Sequence, residues 1–137
     1  MRSLRSYFVL LMYMMFMTYS AQACGFCIED KIASVYDHAL IIRAIGNGER
    51  VVFCSISSDI ANPNWDHVTR SIRSAPSVDA KSVKFSKDTL ALAFTYQADQ
   101  IQLADLVQSL KDKLAKSRLT LEVIKTIDPK ASDKTME

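Results

Sequence analysis

The chain has 137 residues, with 17 Lys and Arg against 15 Asp and Glu and a formal net charge of +2, enough for one compact domain with a core of its own. Arg2 and Arg5 account for that excess, and without them the basic and acidic residues balance. The body of the chain therefore offers no electrostatic footprint for nucleic acid.

Residues 1–23 read as a secretory signal peptide. Arg2 and Arg5 precede an apolar run from Tyr7 to Met17, and Ala21-Gln22-Ala23 supplies a small-x-small cleavage site. The run is shorter than the ~20 apolar residues a membrane-spanning helix needs, so no transmembrane segment is expected after cleavage, and the product is expected in the periplasm or outside the cell. Every methionine except Met136 lies in this leader, where methionine serves as hydrophobic bulk. Cleavage behind Ala23 makes Cys24 the new N-terminus. A cysteine there is also a candidate for a lipid anchor, although Ala21 stands where such signals usually carry leucine.

Residues 24–48 form an N-terminal segment that opens on Cys24-Gly25-Phe26-Cys27. The apolar positions Ile28, Ile32, Val35, Ala39 and Ile42 step by four and three, the stripe of one amphipathic helix. Glu29 and Asp30 suit its first turn, and Gly46-Asn47-Gly48 ends it.

Residues 49–128 then alternate. Val51–Ser57 reads as a strand that places Cys54 beside Val52 and Ile56, as a small buried hydrophobe. Asn62-Pro63-Asn64 caps a helix with Trp65, Val68, Ile72 and Ala75 on one side, and Pro76 stops it. Val78–Ser86 and Leu90–Tyr96 read as a hairpin about Lys87-Asp88, with large residues on one face of the second strand and Ala91, Ala93 and Thr95 on the other. A helix with Leu103, Val107, Leu110 and Leu114 in its stripe follows, then a strand over Leu119–Ile127. Residues 129–137 read as a polar tail.

Strand, helix, strand, strand, helix, strand is the order of an α+β, ferredoxin-like βαββαβ sandwich, with two helices on one face of an antiparallel sheet. The N-terminal helix is an addition to it. This order, with an export signal and a Cys-x-x-Cys at the start of a helix, resembles the heavy-metal-associated domains of metallochaperones and metal-pumping ATPases. The resemblance implies a protein that carries a soft ion such as copper(I) on two thiolates and hands it to a protein partner. In that family the cysteines sit in the loop after the first strand. Here the corresponding loop, Ser57 to Asn64, contains none, and only Cys24 and Cys27 match the two ligand positions, by spacing and helix context.

Two thiolates suffice for near-linear copper(I), whereas zinc normally takes two further ligands. His67, with Asp66, opens the first helix of the sandwich and is the candidate additional ligand if the N-terminal segment folds over that loop. His38 is a poorer one, since eleven residues of continuous helix at about 1.5 Å each set it roughly 16 Å from Cys27. Phe26 could shield a bound ion or simply pack. The same Cys pair at a helix start also resembles the motif of thioredoxin-like oxidoreductases, although only the leader precedes it where that fold needs a strand. A structural Cys24–Cys27 disulfide in a noncatalytic binding domain is a further alternative. A nucleophilic dyad of Cys27 with a histidine is the remaining alternative, and no residue suggests itself as its third, orienting member.

Overall fold

The computed structural model describes residues 27–129. The leader, Cys24 and the polar tail beyond Pro129 lie outside the described residues. The elements are α1 (Ile28–Val35), α2 (His38–Gly46), β1 (Arg50–Ser58), α3 (Trp65–Arg73), β2 (Lys84–Ser86), β3 (Ala91–Tyr96), α4 (Leu103–Ala115) and β4 (Leu119–Ile127). The protein is α+β. Its four strands form one antiparallel sheet in the spatial order β2-β3-β1-β4, which differs from their order along the chain.

Alternation along β1 and β3 divides the core in two. Val52, Cys54, Ile56, Leu92, Phe94 and Tyr96 point to one face and pack with Val68 and Ile72 of α3, and with Leu106, Leu110 and Leu114 of α4. Val51, Phe53, Ala91 and Ala93 point to the other and pack with Val35 of α1 and Ile41 and Ala44 of α2. The N-terminal helices are thus a third layer on the face that a two-layer sandwich leaves open. The alanines of β3 make room for them, because a methyl side chain lets a helix lie close to the strand.

The single helix expected over Ile28–Ile42 is two. Tyr36 is extended (φ −72°, ψ 128°), and Asp37 leaves helical geometry to accept a hydrogen bond from the Leu40 N–H at 3.0 Å, so it caps α2 instead of continuing α1. The break resets the helical phase. α2 buries Leu40, Ile41 and Ala44, and the expected stripe residues Ile28 and Ile42 are 62% and 57% exposed.

Two strands are also shorter than read. Of Val78–Ser86, Lys84–Ser86 pairs as β2 and Val78 makes a single antiparallel bridge to Tyr96; between them Asp79 turns the chain, its Oδ1 accepting from the Lys81 N–H at 2.9 Å and its carbonyl from the Ser82 hydroxyl at 2.6 Å. Leu90 belongs to the hairpin turn, with φ +52°, and β3 begins at Ala91. Asn64 caps α3, its Oδ1 accepting from the His67 N–H at 3.0 Å, so Pro63 precedes the cap and is not in the first turn.

Candidate functional site around the first helix

Cys27 is the residue from which α1 starts. Its carbonyl accepts from the Lys31 N–H at 3.2 Å, while its side chain caps nothing and is exposed. Glu29 and Asp30 complement the helix dipole in the first turn. Lys31, one turn further on, reaches into the sheet and donates from Nζ to Ser55 Oγ at 2.6 Å. Ser55 lies toward the C-terminal end of β1, the end from which the loop to α3 departs. Ser34 Oγ lies 2.6 Å from Thr89 Oγ1 in the β2–β3 turn, and Asp37 Oδ2 lies 3.3 Å from Lys84 Nζ on β2. These contacts fix α1 against the sheet, with Cys27 one turn before Lys31.

The loop where the resembled family keeps its metal leaves the same end of β1, but α3 lies against the opposite face of the sheet. His67 sits exposed in the first turn of α3, outward from Val68 and Ile72, and Asp66 stands beside it. Lys31, one turn after Cys27, thus meets β1 toward the end from which the β1–α3 loop departs, while α3, which carries His67, lies on the face opposite α1. His38 no longer lies on the helix of Cys27. It opens α2, stacked on Tyr36 with ring centroids 6.5 Å apart and Nδ1 3.4 Å from the tyrosine hydroxyl, so its rise-per-residue distance from Cys27 does not apply.

Cys54 is buried in the face that α3 and α4 cover, and burial pushes its thiol up to about 12. It is a core residue, as its place in the strand indicates. Among the described residues no three His, Cys, Asp or Glu side chains form a group able to hold a metal ion, so these residues do not supply a four-ligand zinc site on their own. Surface grooves run along α3 (Asp66, Thr69, Arg70, Arg73) and α4 (Asp105, Gln108, Asp112, Lys116). Neither is lined by Cys27 or His67.

Sequence reasoning missed Glu49. Its carboxylate is buried and accepts from Thr95 Oγ1 at 2.9 Å and from Gln97 Nε2 at 3.2 Å, while its backbone N–H donates to the Ala44 carbonyl at 2.8 Å. It ties the end of α2 to β3 and so anchors the helical layer. A single acidic residue after Gly48 gives no local pattern that announces burial; the signal lies in Thr95 and Gln97, 46 and 48 residues away. No helix among the described residues is long and apolar enough to cross a membrane.

No protein-family model, curated protein or solved structure matches the chain.

Proposed function

We propose that this is an exported protein that carries a soft metal ion, copper(I) before zinc, on the Cys24 and Cys27 thiolates and passes it to a protein partner. One observation carries the reading: Cys27 is exposed at the start of α1, the helix that Lys31 pins to Ser55 of β1. A soft monovalent ion needs only two sulfur ligands in a near-linear arrangement, which a Cys-x-x-Cys supplies by itself. Zinc requires further donors, and His67 stands on the other face of the sheet.

The fold reading belongs to the same proposal. From β1 onward the elements run strand, helix, strand, strand, helix, strand, and β1 lies between β3 and β4. Both features support a ferredoxin-like sandwich of the heavy-metal-associated type, with the ligand pair moved from the loop after β1 to the helical layer on the reverse face. The Lys31–Ser55 contact of α1 and the loop after β1 lie toward the same end of the sheet, which supports a partner that approaches from that end in either design.

The test is a copper(I) titration of the reduced chain, as its host processes it, against a competing chelator. The proposal expects about one ion per Cys pair and loss of tight binding in Cys24→Ser/Cys27→Ser. Unchanged affinity in that double variant would remove the cysteines from the site. A chain recovered as the Cys24–Cys27 disulfide that takes up no copper after reduction would leave a structural bridge in place of a metal carrier.

A further inference from the structure

The two edges of the sheet are treated differently. β2, at one edge, has three residues, and Lys84 on it is engaged by Asp37 from the α1–α2 joint. Short, covered edges do not template pairing. β4, at the other, has nine residues, about 30 Å of strand, with neither proline nor glycine. Its inner side pairs with β1, and among the described residues nothing pairs with its outer side.

β4 also carries a bulge. Phe53 of β1 lies opposite Lys125 and Cys54 lies opposite Val123, so Ile124 is the extra residue. Its consequence is a matter of parity. Glu122 lies opposite Ser55 and Lys125 opposite Phe53, and Ser55 and Phe53 share a face of β1, so Glu122 and Lys125 share a face of β4 although they are three apart. In an unbulged strand they would point to opposite faces.

We infer that a second copy of the chain docks along the free edge of β4, antiparallel about a two-fold axis between Val123 and Ile124, with Glu122 of each copy opposite Lys125 of the other. In this register Leu121 meets the partner's Thr126 and Thr120 meets the partner's Ile127, and the bulge puts each of these pairs on a common face. Two opposite-charge pairs form by symmetry, and the two sheets join into one. A bulge and a lysine on an edge strand also serve to repel other strands. Here the lysine is matched by a glutamate at the position symmetry requires, so a second copy is attracted where an unrelated strand is not. A two-fold contact of this kind closes on itself and does not grow into fibres.

Charge reversal tests this on two exposed residues whose substitution leaves the core untouched. Sedimentation of the chain as its host processes it, at a concentration on the order of 100 µM, is expected to show a dimer. Glu122→Lys sets lysine against lysine twice and is expected to weaken dimerisation on the order of tenfold or more, and Lys125→Glu to do the same with glutamates. The double variant Glu122→Lys/Lys125→Glu restores both pairs and is expected to recover the dimer. An equimolar mixture of the two single variants is expected to form the heterodimer. A wild-type chain that stays monomeric overturns the inference and leaves the bulge and charges as guards of the edge, or the edge as the seat of some other strand. So does a dimer that either single variant leaves intact, or one that the double variant fails to restore. Circular dichroism of each variant confirms that the fold is retained.

Discussion

The two faces of the sheet are built on different principles. The face under α3 and α4 is made of large side chains, among them Leu92, Phe94 and Tyr96, that interlock with three buried leucines of α4. The face under α1 and α2 presents Val51, Phe53 and two alanines to short helices that keep Ile28 and Ile42 outward, as the joint between them keeps Tyr36. The first carries the larger share of the buried apolar surface and hence of the stability. The second is thinner, held at its margins by polar contacts such as Asp37 to Lys84 and Arg43 to Asp79, and it is the layer that ends in the exposed cysteine. The bulk of the core and the exposed thiol thus belong to opposite sides of one sheet.

The largest expected effect separates the faces directly. Phe94→Ala removes a fully buried ring from the thick layer and is expected to cost about 4–5 kcal/mol in urea denaturation, against about 3 kcal/mol for Phe53→Ala, whose thinner surroundings can close on the void. An equal or larger loss at Phe53 would break the comparison. Ala93→Leu is expected to cost about 1–3 kcal/mol by forcing the N-terminal helices off the strand. Its copper(I) affinity should fall with it if α1 positions the thiol; unchanged stability would show that β3 does not need small residues there.

These contrasts also mark what could be read from the chain alone. The strand β4 has the bounds its residues indicate, and the division of β3 into large and small faces follows from strict alternation. The stripe through Ile28 and Ile42 fails because periodicity measures one helix and cannot see that Asp37 prefers to cap a new one. Leu90 and the stretch between Val78 and Lys84 fail for the same kind of reason, since side-chain turns at Asp79 and a left-handed residue at Leu90 override local strand preference; Val78 itself still bridges Tyr96. That the N-terminal helices cover the second face was implicit in Ala91 and Ala93, but small residues alone do not name the element that fills the space. Of the candidate ligands, Cys27 is exposed, Cys24 lies outside the described residues, and His67 belongs to α3, which packs on the face opposite α1, a tertiary placement that no local pattern encodes.

Smaller effects sharpen the contrast through pH. Burial raises the Cys54 thiol from 9.0 to about 12, so the stability it contributes is complete below pH 9 and is lost between pH 9 and about 12, as the unfolded thiol ionises and the folded one cannot. Cys54→Ala should flatten that alkaline limb. In the native protein at neutral pH, iodoacetamide should label Cys27 and spare Cys54. On the thin face the sign reverses. The Leu40 N–H first, and Lys84 after it, hold the Asp37 carboxyl below its usual 3.8, so its contribution is present above that value and fades as pH falls through the lower folded value. Asp37→Asn keeps a capping oxygen and removes the charge. It should blunt the acid limb of the stability profile slightly while leaving α2 intact by circular dichroism; a collapse of helix signal would mean that the Lys84 pair, rather than the cap, defines the break.

The assignment of metal chemistry to the thin face is tested most directly by following the amide and histidine ring resonances of the reduced, processed chain during a copper(I) titration. The account predicts shifts from Cys27 through Lys31 and at Ser55 that saturate near about one equivalent, with the His67 ring unmoved. A His67 ring that shifts with the metal, or a Cys27 that does not, would contradict it.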